Sequence, residues 1–186
     1  MKTRSLIVLA GLCLTFVACE QSNPAPAGTA PAGGNAAEAA AAQQVASHLA
    51  TFDDLDFNVF THQKWDELAR SHSKDIVVHW PDGHETRGIE KHIEDLKAMF
   101  VYAPDTRILV HPVKFGSGEW TSVIGTMEGT FTKPMPMAGG ASVPPTGKAF
   151  TLTMNTIGRW NKAGTMDEEY LFWDNATYMK QIGLAK

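Results

Sequence analysis

The hydrophobic pattern of the chain changes its period once, close to Pro104, and this change restricts the possible folds more than any other feature. Before it, apolar residues recur at helical spacing in three segments: 40–60, a short stretch after Thr61, and the stretch that follows Gly88. After it, four β-rich segments are predicted to be strands: 106–115, 119–131, 150–160 and 166–173. A strand at 76–80 and a terminal helix at 175–182 complete the prediction. Helices followed by consecutive strands are typical of an α+β domain.

The N-terminus carries the pattern of an export signal. Two basic residues precede an apolar run that is shorter than the roughly 20 residues needed to cross a bilayer. The run ends in Phe16-Val17-Ala18-Cys19, which resembles the lipobox of bacterial lipoproteins. The resemblance implies that residues 1–18 are removed and that Cys19 is acylated. We therefore expect a lipid anchor on the periplasmic side of a bacterial membrane, with the outer membrane favoured; a plain secreted protein is the alternative.

The rest of the chain divides into a linker and one domain. Residues 19–37 are rich in Pro, Ala and Gly, which predicts a flexible lipid-anchored linker, and residues 38–186 suit a single domain. Because Cys13 leaves with the signal and Cys19 carries the lipid, the domain contains no cysteine, which excludes disulfides and thiol nucleophiles. The exported form has a net charge of about −6 and no basic patch, so nucleic acid is not an expected partner.

The last predicted strand carries apolar residues on both faces. Its alternation places Glu168, Tyr170, Phe172 and Asp174 on one face, and Leu171 and Trp173 on the other. An antiparallel sheet with one wet face alternates more cleanly than this. Helices on one face and a partly apolar cavity on the other would explain the mixture.

The order of several motifs resembles the SnoaL-like branch of the NTF2-like superfamily, whose members are called ester cyclases or polyketide cyclases. The motifs are Trp65-Asp66-Glu67-Leu68, Asp75-Ile76-Val77-Val78-His79, Gly88-Ile89-Glu90, Gly129-Thr130-Phe131, Pro145-Thr146-Gly147-Lys148, Glu168-Glu169-Tyr170-Leu171-Phe172-Trp173-Asp174 and Gln181-Ile182-Gly183. The resemblance covers about residues 45–184. It implies a cone in which N-terminal helices pack on a curved antiparallel sheet and enclose a pocket, with no metal or organic cofactor.

The resemblance also implies a catalytic group. Polyketide cyclases of this family close a ring by an intramolecular aldol reaction, with an Asp as general acid/base, and Asp174 occupies the matching position. Glu168 lies on the same face of the strand, and the hydroxyl of Tyr170 between them is a candidate donor. Structural interpretations remain open, since Asp is a favoured N-cap before a helix and Glu168 could simply face water.

Histidines and aromatic residues supply the other candidates. His79 and His111 lie on predicted strands, and a neutral histidine suits acid–base work near pH 7. We expect His92, on the apolar side of its helix, to be a core residue. Since the spacing of the histidines matches no metal motif, no metal site is predicted. The predicted wall of the pocket consists of Tyr170, Trp80, Trp120, Phe131 and Asn155.

One difference from the family weakens the expectation of a cyclase. Many relatives carry Gly-Thr-His where this chain has Gly129-Thr130-Phe131, so a polar pocket residue is replaced by a ring. Three functions therefore stay open. The first is an enzyme acting on a small apolar carbonyl compound or ester, the second a non-catalytic periplasmic module that binds a hydrophobic small molecule, and the third an interaction domain whose sheet forms a homodimer.

Overall fold

The computed structural model describes residues 32–186, so the predicted signal peptide, Cys19 and most of the predicted linker lie outside the described residues. The three α-helices are α1 (Ala32–Asp54), α2 (Ile89–Tyr102) and α3 (Asn175–Gln181). A π-helical stretch, Leu55–Phe60, continues α1, and a 3-10 helix follows at Trp65–Arg70. None of the helices in the described part of the chain is long and apolar enough to cross a membrane.

In residues 32–186 seven strands form one sheet, and two more form a separate hairpin. These strands are β1 (His72–His79), β2 (Glu85–Arg87), β3 (Arg107–Ile108), β4 (Val113–Ser117), β5 (Trp120–Thr130), β6 (Met135–Pro136), β7 (Ser142–Val143), β8 (Ala149–Trp160) and β9 (Met166–Trp173). The order in the main sheet is β2-β1-β9-β8-β5-β3, and β4 also pairs with β5. Only the β1–β9 pair among these is parallel. The predicted α+β class, with helices on a mostly antiparallel sheet, is confirmed.

The edge of the sheet beside β5 is broken where the sequence predicts one strand over 106–115. Both β3 and β4 pair with β5, but residues 109–112 between them leave the ladder. Pro112 has no N–H to donate to a ladder, which favours a break at this point. The break turns His111 toward α1. The predicted loop at 133–147 contains the short hairpin of β6 and β7.

The core lies between the helices and one face of the sheet, which we call the inner face. On β8 every second residue from Phe150 to Trp160 faces inward and is buried. The π-helical stretch turns Leu55, Asp56, Val59 and Phe60 toward this core together. Single π-helical turns in an α-helix often occur at functional sites. A carboxylate is thus carried into an apolar interior.

Candidate active site

A small cavity that opens to solvent lies between the helices and the inner face of the sheet. Apolar side chains form most of its wall: Leu55, Phe60, Trp80, Leu96, Met99, Ile108, Met127, Met154, Leu171 and Trp173. Its polar lining residues are Asp56, His72, His92, Thr156 and Glu169. A mostly apolar cavity with a few polar groups is typical of small-molecule sites.

One side of the cavity is connected to the surface by a histidine between two aspartates. His111 Nε2 lies 2.8 Å from Asp56 Oδ2, and His111 Nδ1 lies 2.9 Å from Asp53 Oδ1. The His111 side chain is 1% exposed and that of Asp56 10%, whereas Asp53 is 28% exposed and also bonds Lys114. Gly125 on β5 leaves room for the imidazole, since a Cβ there would lie 3.2 Å from His111 Cδ2.

The charges of this trio follow from its hydrogen bonds. Burial alone would lower the pKa of His111, but hydrogen bonds to Asp56 and Asp53 and their charges raise its pKa above the ordinary value. An imidazole that donates from both nitrogens is protonated. Burial raises the pKa of Asp56, which His111 offsets only in part. Asp56 is therefore a carboxylate whose proton affinity exceeds that of an exposed aspartate.

The cavity wall also holds a second buried cluster, made by His72 at the start of β1, His92 on α2 and Glu169 on β9. Glu169 Oε2 lies 3.7 Å from His72 Nε2 and 3.4 Å from His92 Nε2. All three side chains are at most 5% exposed. Burial lowers the pKa of His92 to about 4, although the charge of Glu169 opposes this, so its imidazole is neutral at pH 7.

The sequence model of a family described as SnoaL-like polyketide cyclase matches residues 55–182. The chain belongs to this family. No protein of curated function matches the sequence significantly. Every residue of the cavity wall falls within the matched segment, so the cavity of this SnoaL-like protein lies in the part of the chain that the family model covers.

Solved structures of similar proteins share the fold. A protein from Jannaschia sp. CCS1, described as a SnoaL-like polyketide cyclase, superimposes with a TM-score of 0.65 at 19% identity over 76% of this chain and 95% of its own. IdmH from Streptomyces antibioticus, described as a polyketide cyclase, superimposes with a TM-score of 0.62 at 22% identity, over 73% of this chain and 98% of its own. A protein of ketosteroid isomerase-like fold from Catenulispora acidiphila, solved in complex with trimethylamine, superimposes with a TM-score of 0.55 at 12% identity, over 68% of this chain and 87% of its own. At these identities the likeness concerns the fold alone.

Most of the residues predicted to be catalytic lie away from the cavity of this SnoaL-like protein. Glu168 and Tyr170 project from the face of β9 opposite to Glu169, where Tyr170 Oη donates to Glu168 Oε1 at 2.8 Å and His79 Nε2 lies 3.1 Å from the same oxygen. The cavity thus lies on the helix side of the sheet, and the expectation of a cavity on the other face was wrong. Of the four residues predicted to be catalytic, His111 is the one whose side chain hydrogen-bonds a residue of the cavity wall in the described part of the chain.

Asp174 caps a helix. It is exposed, and its Oδ1 accepts hydrogen bonds from Ala176 N at 2.9 Å and Thr177 N at 3.1 Å at the start of α3. The hydrogen bond from the Thr177 hydroxyl and those from the backbone lower the pKa of Asp174, and the hydrogen bond from Tyr170 lowers the pKa of Glu168. A lowered pKa makes a carboxylate a weaker base.

The predicted wall residues divide between three places. Trp80 lines the cavity. Trp120 is 41% exposed and Asn155 accepts a hydrogen bond from Ser122, both on the face of the sheet away from the helices. Phe131 is fully buried against Tyr102 and is absent from the cavity wall, so the ring that replaces the family's histidine packs in the core.

Sequence reasoning missed all five polar residues of the wall: His92 was expected only in the core, and two of the other four had a signal. Asp56 stands four residues after Phe52 and four before Phe60, which puts a carboxylate on the apolar face of a helix. Glu169 alternates with Leu171 and Trp173, which puts a second one on the apolar face of a strand. A charged residue in phase with an apolar face is rarely placed there without a partner or a function. His72 and Thr156 had no such signal.

Proposed function

We propose that this SnoaL-like protein is an enzyme that removes a proton next to the carbonyl group of a small apolar compound, with Asp56 as general base. The observation that carries the proposal is the buried Asp56 carboxylate on the cavity wall, linked through His111 to the partly exposed Asp53. Removal of such a proton is the first step of an aldol ring closure, and family membership supports this class of reaction.

The surroundings of Asp56 suit a base. Its raised pKa brings its proton affinity closer to neutral pH, where a general base is most effective. Only Oδ2 is hydrogen-bonded among residues 32–186, which leaves Oδ1 for a substrate proton. His111 holds the carboxylate in place, and Asp53 in turn orients His111, the arrangement of base and orienting group that acid–base sites require.

Thr156 supplies a donor for the oxygen of the substrate. Its side chain lies on the inner face of β8, and its hydroxyl is buried without a hydrogen-bond partner in the described part of the chain. A donor aimed at the position where negative charge develops stabilises an enolate strongly in a dry site. We assign Thr156 this role, with Asp56 taking the proton from the neighbouring carbon.

The test is exchange of hydrogen for deuterium at the α-carbon of small cyclic ketones and esters in D₂O, followed by mass spectrometry. We expect the wild-type protein to accelerate exchange of at least one compound in the panel. Asp56→Asn should lower that rate about 10³-fold, in keeping with the usual contribution of a positioned base. Asp174→Asn is the matched control, because it makes the same chemical change to an exposed aspartate and leaves the cap acceptor in place.

Two outcomes would contradict the proposal. Exchange that is lost in Asp174→Asn but kept in Asp56→Asn would return catalysis to the residue predicted from the sequence. The second outcome is a wild-type protein that accelerates exchange of no compound in the panel, while native mass spectrometry shows that wild type and Asp56→Asn retain a small apolar molecule equally. This result would identify the protein as a non-catalytic binding module.

We also propose that the protein is exported and anchored through Cys19, on the support of the lipobox-like motif and the Pro/Ala/Gly-rich segment that follows it. We expect radioactive palmitate to label the wild-type protein in its host and not Cys19→Ala. Export of an unlabelled wild-type protein would identify it as a plain secreted protein instead.

A further inference from the structure

We infer that His72, His92 and Glu169 form a binding site for a divalent transition metal ion such as Zn²⁺. These side chains come from β1, α2 and β9, and each offers a nitrogen or carboxylate oxygen within 4.8 Å of the other two. The inference goes beyond the proposed acid–base reaction and does not depend on it, because a metal can be bound whether or not Asp56 removes a proton.

The distances in the cluster fit a metal better than they fit hydrogen bonds. Glu169 Oε2 lies 3.4 Å from His92 Nε2 and 3.7 Å from His72 Nε2, beyond the roughly 2.7–3.2 Å of normal hydrogen bonds. Ligand atoms about 2.1 Å from a tetrahedral Zn²⁺ are about 3.4 Å apart, which is close to both separations. Two of the three separations therefore match those between zinc ligands, and all three ligand atoms lie within 4.8 Å of one another.

The cluster is also short of partners. His72 Nε2 and Glu169 Oε2 are buried and make no hydrogen bond to the described residues. A buried carboxylate oxygen without a donor costs several kcal/mol, so an arrangement of this kind is expected to hold something. Two imidazoles and one carboxylate are the donor set of several zinc and non-haem iron sites.

A neighbouring serine lies beside the other ring nitrogen of His72. The Ser71 hydroxyl is 2.9 Å from His72 Nδ1 and 3.2 Å from Leu68 O. In the arrangement in which the hydroxyl donates to Leu68 O and accepts from Nδ1, Nε2 keeps the lone pair that binds a metal. Hydrogen bonds that fix the tautomer in this way are usual behind metal-bound histidines.

Three protein ligands leave one position of a tetrahedral ion open, as in catalytic rather than structural zinc sites. Because all three residues line the cavity, that position faces the space where a substrate would lie. An ion there would hold a carbonyl oxygen as a Lewis acid in the cavity that Asp56 also lines. The fitting ligand class is therefore a small carbonyl or carboxyl compound.

The test is metal binding by the full chain, expressed without a histidine tag and stripped with a chelator. We expect calorimetry to give one Zn²⁺ per chain, and Co²⁺ to give the intense visible absorption of a four-coordinate site. His72→Gln, His92→Gln and Glu169→Gln should each weaken Zn²⁺ binding by about 100-fold or more, and Ser71→Ala by about 10-fold. His79→Gln is the matched control, since His79 also lies beside glutamates but on the other face of the sheet.

Absence of stoichiometric Zn²⁺ binding and of the Co²⁺ absorption in the wild-type protein would overturn the inference. So would binding that the ligand variants do not weaken but His79→Gln does. Since each ligand is changed separately and folding is followed by circular dichroism, one variant that fails to fold leaves the others and the wild-type spectrum decisive. Asp56→Asn should still bind metal; deuterium exchange by a wild-type protein that binds none would remove the metal site and leave the proposed function standing.

Discussion

Replacing Trp160 with alanine is expected to lower the free energy of unfolding by about 4 kcal/mol, because it removes a large side chain from the centre of the core. Trp160 is 1% exposed. Its ring stacks on His48 with ring centroids 4.6 Å apart and meets Phe52 edge-on at 5.7 Å. Both partners belong to α1, so the indole joins that helix to the sheet. Its Nε1 also donates to Thr121 Oγ1 at 2.7 Å, a bond that the variant loses.

Trp120→Ala is the matched control for this change. Trp120 lies on β5, on the face away from the helices, and is 41% exposed. Its removal should cost about 1–2 kcal/mol, well below the loss in Trp160→Ala, since a large part of its ring already faces water. Urea unfolding followed by circular dichroism measures both variants against the wild-type protein. Equal losses in the two would contradict the assignment of the core to the helix side of the sheet.

The fold was largely predictable because local patterns determine its elements. The alternation over 166–173 gave β9 with the bounds that the structure has, and the helical spacing before Pro104 gave α1 and α2. Alternation also separated the two faces of β9 correctly. It could not say which face the helices cover, because that choice depends on contacts between distant segments. Glu168 and Tyr170 were therefore assigned to a cavity that Glu169 lines instead.

The candidate site was harder to predict for the same physical reason. His72 reaches Glu169 because β1 and β9 are paired in parallel although they lie far apart in the sequence. The pairing has a register shift between His72 and Val77. No short spacing in the sequence encodes such a pair, which is why the histidines matched no metal motif. The comparison with the family's Gly-Thr-His motif also gave a wrong prediction for Phe131. Its ring was assigned to the pocket wall but packs in the core beside Tyr102. Only a charge in phase with an apolar face, as at Asp56 and Glu169, was visible beforehand.

His111→Ala is expected to cost about 3 kcal/mol in the free energy of unfolding, because it leaves the buried Asp56 carboxylate without its partner. His84→Ala is the matched control: His84 also bonds an aspartate, Asp82, but both are exposed, so we expect almost no change. Urea unfolding near pH 7 compares the two. A loss in His111→Ala no larger than that in His84→Ala would contradict the buried pair.

A double-mutant cycle with Asp56→Asn separates the pair from other effects of removing His111. We expect the loss of unfolding free energy in the double variant to be about 1–3 kcal/mol smaller than the sum of the losses in the two single variants. The reason is that Asn carries no charge that would be left buried without a partner. The pKa of His111 is raised above its ordinary 6.5 in the folded state. Its stabilising contribution is therefore fully present below about pH 6.5 and is lost as the pH rises through the folded pKa. The coupling energy should accordingly fall between neutral and alkaline pH, and a coupling that grows over this range would show that the histidine is not protonated between its two aspartates.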